Sequence, residues 1–516
     1  MDRLHFAWCL VFFFLAQVSS ASSDVFDPIA VPDMCKNAKY EKLCLELVAQ
    51  NHTKDALVRQ AMLHAKDGLQ ELRHSCKNMS SSSDHGEGKM HAALNDCSGL
   101  LEDASELVDD CLSEGYYFST TAKLEDIQTW MSAALTDWDT CIDGLKDAGS
   151  SGKSAARRLE KQGAEVNTMI STALSLVASM YPPGTHPSRS WLRGRILATA
   201  STPFPNVTVA KDGSGQFSSI SAAIAAAPTQ SRTRYVIYVK QGTYVESFEV
   251  PKSKPNLMLL GDGIRKTIIT GSKSVQNPGV TTFTSATVIV SGNNFLGQGI
   301  TVQNTAGAVN HQAVALRVTA DKVAFYKCSF EGFQDTLYAH SLRQFYSQCR
   351  IYGTVDFIFG NAAAVFLNSE LVARVPMTNQ KNTFTAQGRT DPSQNTGFSF
   401  QGCTVDGNAD LKTAIRSFPT YLGRPWKEYS LTVFLKCYQG DVINPAGWLE
   451  WDGDFALKTL FYGEYQNQGP GSGTSRRVSW STQITSQDQA NRFSARNFVA
   501  GQEWLPQTSF PFQLDV

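Results

Sequence analysis

Polar residues recur in the C-terminal half of the chain at an interval that fits one turn of a solenoid. Gln312, Gln334 and Asp356 follow one another at a constant 22-residue interval, and Cys328 and Cys349 repeat at an interval one position shorter. In a parallel β-helix each turn adds short strands to stacked parallel sheets, and equivalent positions on neighbouring turns lie about 4.8 Å apart. The interval therefore predicts that the two glutamines and the aspartate form a column on three successive turns.

Short runs of β-branched and aromatic residues fill the chain after residue 206. Examples are RYVIYVK, ATVIV, VAFYKCSF and LTVFLKC, and Gly and Asn turns separate such runs. Almost no helical periodicity remains between about residues 235 and 440, and residues 218–228 predict one short amphipathic helix. Many short strands fit a sandwich, a barrel or a solenoid, and the 22-residue interval favours the solenoid.

The N-terminal part of the chain has a helical pattern instead. Apolar residues recur there at three- and four-residue spacing, as in AALNDCSGLLEDASELVDDCL. Four amphipathic helices of this length predict an up-and-down four-helix bundle over residues 25–180. The Pro-, Gly- and Arg-containing segment 181–205 predicts an exposed linker and a protease target before a second domain at 206–516.

Residues 1–21 have the pattern of a secretory signal peptide. Arg3 precedes an apolar core from Phe6 to Val18, and small residues follow through Ala21. The core is too short for a comfortable membrane span, and no later stretch is long and apolar enough to be one. We therefore expect a secreted, extracellular protein without a membrane segment.

Secretion makes glycosylation and disulfide bonds available to the chain. Sequons occur at Asn51, Asn78 and Asn206. The cysteines show no C-x-x-C spacing and no accompanying His tract, so the pattern gives little support to a metal site.

Charge is distributed unevenly between the two halves. The whole chain has a net charge of −1, but residues 201–516 carry about +6 and residues 1–200 about −7. The basic half favours a polyanionic substrate, although an incidental imbalance of surface charge is the alternative. A nucleic-acid partner would require a denser basic surface.

Two carboxylates stand out in the β-rich half. Asp335 lies in GFQDTLY, and Asp356 lies in the otherwise apolar run IYGTVDFIFGN, close to one solenoid interval later. Stacked turns would bring them within several Å, so that the pKa of one carboxyl rises and a neutral acid faces a charged base or nucleophile. The alternatives are a turn-capping role for Asp335 and a structural arginine pair for Asp356.

The adjacency of Gln334 and Asp335 sets a condition on this site. Neighbouring residues of a regular strand point to opposite faces, so at least one of the two must lie on a bend. His311 and His340 are alternative bases, but a lone histidine is more often structural. No G-x-S-x-G elbow, Walker motif or Rossmann glycine motif is present.

Several long motifs of the C-terminal half resemble those of plant-type pectin methylesterases. They are GTYVE (242–246), HQAVALR (311–317), QDTLY (334–338), GTVDFIFGNAA (353–363), TAQGRTDPSQNTG (385–397), YLGRPWKEYS (421–430) and GWLEWDG (447–453). The N-terminal half resembles the pectin methylesterase inhibitor domain, through its Cys35–x8–Cys44 start and the segment TWMSAALTDWDTCIDGL.

The resemblance implies a right-handed parallel β-helix behind an all-α four-helix bundle. It also implies hydrolysis of methyl esters of galacturonate units in cell-wall homogalacturonan, releasing methanol and pectate without a cofactor. By motif position, Asp356 matches the nucleophile that forms an acyl-enzyme. Asp335 matches the acid that protonates methanol and then activates water.

The other positions of the matched motifs imply supporting roles. Gln312 and Gln334 match the groups that stabilise the oxyanion, and Arg424 matches the arginine that pairs with the nucleophile. Trp426 matches a sugar-stacking wall and Thr282 a substrate-contacting threonine. In the N-terminal domain the family pattern implies the disulfides Cys35–Cys44 and Cys97–Cys141, which leaves the pairing of Cys76 and Cys111 open.

The sequence departs from the family pattern at two places. Many relatives carry a cysteine about one turn after Cys349, where this chain has Ser369, so a disulfide to that position is excluded. Cys328, one turn from Cys349, is a candidate partner on the condition that its side chain points the same way. The pairing of Cys403 and Cys437 is also open. The basic processing motif of relatives is matched best by RILA (195–198), with RRLE (157–160) as a poorer candidate inside a helix.

The resemblance implies methyl-esterified homogalacturonan, a subtilisin-like processing protease and separate inhibitor proteins as partners of a monomer. The N-terminal domain is expected to inhibit the enzyme or to assist its folding. The alternatives are another pectin-active β-helix enzyme, either a lyase or a glycosidase, and an inhibitory or binding protein with an inert C-terminal half. Retention of both aspartates, both glutamines and Arg424 argues against an inert half.

Overall fold

The computed structural model describes residues 35, 38–48, 54–82, 88–113, 121–180 and 203–516. The signal segment 1–21, the sequon at Asn51 and the processing motif at 195–198 lie outside the described residues. None of the helices in the described ranges is long and apolar enough to span a membrane.

The N-terminal part, here called the helical unit, consists of a short helix followed by a bundle of four long helices. The short helix is α1 (Glu41–Val48), and the long helices are α2 (Lys54–Ser82), α3 (Gly88–Ser113), α4 (Thr121–Lys146) and α5 (Gly149–Ser179). Each long helix packs against the next, and α2 also packs against α5, which closes the bundle. The three- and four-residue apolar spacing buries one face of each helix, as Leu94, Leu101 and Val108 show in α3. The predicted bundle is confirmed.

Cysteines fix two points of the helical unit. Disulfides join Cys35 to Cys44 and Cys97 to Cys141, the latter linking α3 to α4, and both predicted pairs are confirmed. Cys76 and Cys111 are buried free thiols. The Cys76 sulfur lies 3.4 Å from that of Cys97.

The C-terminal part is a parallel β-helix with three sheets, in which all paired strands are parallel. Sheet A contains β1 (Val207–Val209), β2 (Tyr235–Val239), β5 (Leu257–Gly261), β8 (Leu296–Gln298), β11 (Val323–Tyr326), β14 (Arg343–Ser347), β17 (Ala363–Leu367), β20 (Gly397–Gln401), β23 (Leu431–Leu435), β25 (Phe461–Tyr465) and β26 (Thr482–Gln483). Sheet B contains β3 (Gly242–Val245), β6 (Thr267–Gly271), β9 (Thr301–Asn304), β12 (Ser329–Glu331), β15 (Arg350–Gly353), β18 (Glu370–Ala373), β21 (Thr404–Gly407) and β24 (Tyr438–Gln439). Sheet C contains β4 (Phe248–Val250), β7 (Val288–Val290), β10 (Leu316–Val318), β13 (Leu337–Ala339), β16 (Ile358–Gly360), β19 (Asn382–Gln387) and β22 (Thr420–Gly423). The solenoid prediction is confirmed.

Short helices lie between or after the strands of the β-helix. They are α6 (Ile220–Ala226), α7 (Ala409–Thr413), α8 (Gln487–Asn491), α9 (Ala495–Phe498) and α10 (Gly501–Trp504), with 3-10 turns at Ala308–Asn310 and Leu505–Thr508. The helix predicted at 218–228 is α6, and the Ser219 side chain accepts a hydrogen bond from the Ala222 N–H at its N-terminus.

The strand register corrects the predicted column. Leu316 pairs with Leu337 and Leu337 with Ile358, so one turn in this region is one residue shorter than the predicted interval. Asp335 and Asp356 are therefore equivalent on consecutive turns. The predicted column is wrong by one position at Asp356, because the turn-equivalent of Asp356 is Asp335 and not Gln334.

Stacked aromatic rings fill the interior behind sheet A. Phe325, Tyr346, Phe366, Phe400 and Phe434 lie on consecutive turns, with ring centroids 4.5 to 5.4 Å apart and nearly parallel planes. All five side chains are buried. Such a ladder stabilises the in-register stacking of the turns, because each ring contacts the equivalent ring on the next turn.

The predicted bridge between Cys328 and Cys349 is not formed. Both side chains are buried free thiols, as are Cys403 and Cys437. The neighbouring register pair, Ser329 and Arg350, places the first two cysteines on adjacent turns. Each sulfur contacts a backbone carbonyl oxygen at 3.5 to 3.6 Å, and the two thiols also lie within hydrogen-bonding reach of each other.

Candidate active site

One cleft on the outer side of sheet C brings together every catalytic and substrate-contacting residue predicted from the sequence. Its volume is about 500 Å³. The loops that lead into β7, β10, β13 and β16 place Thr282, Gln312, Gln334, Asp335 and Asp356 there, and the loop after β22 supplies Arg424 and Trp426. Because parallel turns repeat the same loop position, residues far apart in sequence line one wall.

Asp356 is a buried carboxylate whose oxygens are fully engaged. Arg424 Nε lies 2.8 Å from Oδ1 and Nη2 lies 2.6 Å from Oδ2. The Thr383 hydroxyl donates to Oδ1 at 2.6 Å, and the Asp356 N–H donates to that hydroxyl oxygen at 2.8 Å. A two-point guanidinium contact of this kind offsets the loss of water and fixes the carboxylate plane.

Asp335 occupies the equivalent position one turn earlier and has no such cation. Burial raises the pKa of its carboxyl well above the usual range, and the negative charge of Asp356 raises it further. The two carboxyl groups therefore differ in their surroundings, because the pKa of Asp335 is raised and Asp356 is bound by the Arg424 guanidinium.

The bend required by the adjacency of Gln334 and Asp335 is present in the backbone. Asp335 has φ of 62° and Asp356 has φ of 52°, both in the left-handed region that non-glycine residues rarely adopt. The two left-handed residues repeat on successive turns and direct both carboxyl groups to the same cleft. Backbone strain at this point is thus tied to the site.

Aromatic side chains line the cleft around the two aspartates. The rings of Tyr338 and Phe359 stack with centroids 4.1 Å apart, and Trp426 lies 6.0 Å from Phe359. The Arg424 guanidinium lies 4.4 Å from the centroid of the Trp451 ring. Such rings provide flat apolar surfaces beside the polar groups, as sugar rings require.

Two residues of the site were not predicted. Thr383 lies just before the motif that begins at residue 385, and only the register of β19 against β16 brings it to Asp356. Trp451 lies inside GWLEWDG, a matched motif to which no role was assigned. The motif GWLEWDG was an available signal for Trp451, whereas no motif covered Thr383.

The two candidate histidines do not act on the cleft carboxylates. His340 is fully buried, its Nε2 lies 2.8 Å from the Thr140 hydroxyl oxygen of the helical unit, and burial lowers its pKa to about 3. It is therefore neutral at ordinary pH. His311 lies on a left-handed bend with φ of 58° beside Gln312 and is absent from the residues lining the cleft.

The helical unit covers this cleft. Asp96 of α3 and Thr140 and Asp143 of α4 line it, together with the more distal Asp147. The Lys427 ammonium lies 2.6 Å from an Asp143 oxygen, so the loop that carries Arg424 and Trp426 is bound to α4.

Further contacts extend along both sides of the cleft. Lys252 binds Asp103 at 2.5 Å and Glu106 at 2.8 Å, both on α3. Asn361 donates to the Thr136 hydroxyl at 2.8 Å. Together these contacts seat α3 and α4 across the outer side of sheet C.

The remaining predicted positions lie away from the cleft. Asn78 is exposed within α2, and Asn206 is exposed just before β1, where its side-chain oxygen accepts from the Val236 N–H at 2.7 Å. The RRLE segment 157–160 lies inside α5.

Comparisons with known proteins cover both parts of the chain. A family model described as pectinesterase matches residues 206–502, and one described as plant invertase/pectin methylesterase inhibitor matches residues 30–176. Pectinesterase 2 from Citrus sinensis is 52% identical over 392 residues, which is 75% of this chain and 75% of that relative. Pectinesterase 3 from the same plant is 43% identical over 509 residues, or 94% of this chain and 85% of the relative.

A solved structure matches the β-helix part. The pectin methylesterase from carrot is 57% identical with a TM-score of 0.60, and the match covers 61% of this chain and 99% of the carrot chain.

Proposed function

Because the chain belongs to the pectinesterase family and hydrolyses the methyl esters of pectin, we propose that Asp356 and Asp335 carry out this reaction as nucleophile and proton donor. The observation that supports this assignment is the pairing of the two carboxyl groups on consecutive turns, with Arg424 bound to one of them alone.

In the first step an Asp356 oxygen attacks the ester carbonyl carbon. The bond from that carbon to the methoxy oxygen breaks, and the Asp335 proton passes to the departing oxygen to give methanol. The galacturonate carbonyl is left joined to Asp356 as an anhydride. The raised pKa of Asp335 suits a proton donor, and the two-point contact with Arg424 suits Asp356 to act as the nucleophile.

In the second step water attacks the anhydride carbonyl. Asp335, now a carboxylate, accepts a proton from the water, and the bond to the Asp356 oxygen breaks. The products are a free galacturonate carboxyl group and the regenerated enzyme. Gln312 and Gln334 line the same cleft, and we assign their amide N–H groups to the oxyanion that forms in both steps.

Substrate placement follows from the lining of the cleft. Trp426 offers a stacking surface for a sugar ring and Thr282 a hydroxyl at the cleft wall, while Arg424 orients the nucleophile. The basic charge of the C-terminal half favours a polyuronide over a neutral polysaccharide.

The experiment is a titration of methanol released from methylated pectin by the chain after removal of the helical unit. We expect Asp356→Ala to fold and to lose methanol release by at least about a thousandfold, as expected when a covalent nucleophile is lost. Asp441→Asn, a change at an exposed aspartate, is the control. Near-normal methanol release by Asp356→Ala would exclude its nucleophilic role.

We further propose that the helical unit inhibits the enzyme in the uncleaved chain. Its residues Asp143 and Asp147 line the cleft that holds Asp335 and Asp356, so a polysaccharide has no path to the nucleophile while α4 is seated. The match of residues 30–176 to an inhibitor family supports this role over a purely folding one.

Maturation is part of the same proposal. The apolar segment 1–21 supports secretion to the cell wall, and the linker motif at 195–198 supports cleavage by a subtilisin-like protease before the β-helix. Exposure of Asn78 and Asn206 supports glycosylation at those sequons. The released β-helix would act as a monomer, and its open cleft would then be available to separate inhibitor proteins of the family matched by the helical unit.

A further inference from the structure

Thr383 holds Asp356 from within sheet C. It lies on β19, which is paired with β16 on one side and β22 on the other. Because Ile358 pairs with Thr385, Thr383 is the equivalent of Asp356 on the next turn. The residue is fully buried and is absent from the residues that line the cleft. Thr383 therefore acts on a bound substrate only through Asp356.

Two hydrogen bonds between these residues fix where the hydroxyl proton points. The Asp356 N–H donates to Thr383 Oγ1 at 2.8 Å, and the same Oγ1 lies 2.6 Å from Asp356 Oδ1. A hydroxyl group has one proton to donate, so the proton of Thr383 is directed to Oδ1. One atom of the neighbouring turn thus binds both the backbone and the carboxyl group of Asp356. That arrangement fixes the side chain of a residue whose φ of 52° is rare outside glycine.

Arg424 binds the same carboxyl group from a less constrained position. It lies in the loop after β22, and its side chain is 25% exposed. Within that loop Lys427 is bound to Asp143 of α4, a contact that is lost when the helical unit leaves. In contrast, β19 keeps both of its neighbouring strands in the released β-helix. The contact from Thr383 therefore does not depend on the helical unit.

The two carboxyl oxygens of Asp356 differ in the number of hydrogen bonds that they accept. Oδ1 accepts from Arg424 Nε at 2.8 Å and from the Thr383 hydroxyl at 2.6 Å. Oδ2 accepts from Arg424 Nη2 at 2.6 Å, and no second donor to it is found among the described residues. Since each carboxyl oxygen has about two acceptor positions, those of Oδ1 are filled and one of Oδ2 is free.

We propose that Thr383 is a positioning residue for ester hydrolysis, which holds Oδ1 of Asp356 and so presents Oδ2 to the substrate. In the first step Oδ2 forms a bond to the ester carbonyl carbon, the bond from that carbon to the methoxy oxygen breaks, and the methoxy oxygen takes the Asp335 proton. Thr383 and Arg424 Nε stay bound to Oδ1, which becomes a carbonyl oxygen of the anhydride. The inference rests on the proposed function, since it takes Asp356 as the nucleophile.

The experiment uses the full chain after cleavage in its linker and removal of the helical unit. The carrot structure consists almost entirely of the β-helix part, which shows that a 57% identical β-helix forms a folded chain without a helical unit. Thr383→Val removes the hydroxyl and keeps the size of the side chain, whereas Thr383→Ser keeps the hydroxyl. Methanol release from methylated pectin gives kcat and KM separately, and thermal unfolding gives Tm.

We expect Thr383→Val to lower kcat by about ten- to a hundredfold and to leave KM within about twofold of the unmodified value. The reason is that the lost hydrogen bond orients the nucleophile and does not bind the polysaccharide. Equal falls in kcat and kcat/KM indicate an interaction that serves the transition state. Thr383→Ser should keep kcat within about threefold of the unmodified chain, since its hydroxyl can make both hydrogen bonds.

Thr385→Val is the matched control. Thr385 lies two residues further along β19, is equally buried, and donates its hydroxyl to the Leu422 carbonyl oxygen at 3.0 Å. The control removes a buried hydroxyl of the same strand and should leave kcat within about twofold of the unmodified value. A loss of kcat as large as that of Thr383→Val would overturn the proposal, because it would indicate a packing role for β19.

An unchanged kcat in Thr383→Val would also overturn the proposal, as would an equally large loss of kcat in Thr383→Ser. If Thr383→Val does not fold, Thr383→Ala removes the same hydroxyl and should show the same fall in kcat at constant KM. Asp356→Ala, measured in parallel, separates this inference from the proposed function. Loss of methanol release by Asp356→Ala with full activity of Thr383→Val overturns the positioning role alone, whereas near-normal release by Asp356→Ala overturns both.

Discussion

Arg424 binds both carboxylate oxygens of Asp356, through Nε to Oδ1 and Nη2 to Oδ2. The Asp356 side chain is 8% exposed and the Arg424 side chain 25%. The ion pair is therefore largely sheltered from water, and removal of either partner would leave the other buried without a counter-charge.

Removal of the arginine should disable the nucleophile and destabilise the fold. We expect Arg424→Gln to lower kcat at least about a hundredfold and to lower the free energy of unfolding by about 3 kcal/mol, since Asp356 is left buried without a cation. Methanol release and thermal unfolding measure the two effects. Arg350→Gln breaks a half-exposed ion pair with Glu370 and should change neither by a comparable amount.

Asp335 should make stability fall as pH rises. Its pKa is raised in the folded chain by burial and by Asp356, so the folded state binds more protons than the unfolded state above the usual Asp range. Its stabilising contribution is present below that range and is lost as pH rises toward the raised pKa. We expect the Tm advantage of Asp335→Asn over the unmodified chain to grow between pH 4 and pH 8.

The control for that series is Asp441→Asn, at an exposed position. A Tm difference between Asp335→Asn and the unmodified chain that does not vary with pH would show that Asp335 is ionised in the folded chain.

Cleavage of the linker should activate the enzyme in a concentration-dependent way. Within one chain the tether keeps the helical unit near the cleft at a high effective concentration, and after cleavage the two parts can separate on dilution. We expect the cleaved chain to gain methanol-releasing activity per molecule as it is diluted, whereas the uncleaved chain should remain inactive at every concentration. Equal activity of cleaved and uncleaved chains would contradict inhibition by the helical unit.

The contacts of Lys252 should help to hold the cleft covered. The double variant Asp103→Asn with Glu106→Gln removes both carboxylates that bind this lysine, and we expect several-fold higher methanol release from the uncleaved chain. Asp109→Asn is the matched control, because Asp109 lies on the same helix but binds Lys66 within the helical unit. An equal effect of the control would indicate damage to the bundle rather than to the interface.

Acidity should strengthen the covered arrangement. Burial raises the pKa of Asp139 to about 6, and the charge of Asp143 also raises this pKa. Three groups act in the opposite direction: Lys427, the Thr390 hydroxyl that donates to Asp139 at 2.6 Å, and Lys39. Because the covered state then binds more protons than the separated state, its stability is greatest below about pH 4 and declines as pH rises through 6. Affinity of the cleaved parts, measured by calorimetry at pH 4.5 and 7.5, should be higher at pH 4.5, and Asp139→Asn should reduce the difference.

The sequence was sufficient for the two architectures and for the seven cleft residues. Both architectures follow from local patterns. The apolar spacing within α3 gives the buried face of a helix, and the short apolar runs after residue 206 form the stacked strands. The identity of the cleft residues came from long family motifs, which also placed Arg424 beside Asp356. Retention of this site in a formed cleft is at odds with an inert C-terminal half.

The predictions that were wrong concern features that depend on packing between segments far apart in the sequence. The predicted column was wrong because strands set the register, whereas Gln312 and Gln334 lie in loops before them. The seating of α4 on the cleft rests on pairs such as Thr140 and His340, far apart in sequence, which no local pattern encodes. Cys328 and Cys349 lie on adjacent turns, but this proximity alone does not determine whether a disulfide bond forms.

The order of the two parts along the chain bears on how the protein is made. A ribosome completes the helical unit before it begins the β-helix, and N-terminal domains generally fold first during synthesis. Asp143 is therefore in place before Asp335, Asp356 and Arg424 emerge. With the inhibitory role proposed above, the β-helix would emerge beside its own inhibitor and would stay inactive from synthesis until the linker is cleaved.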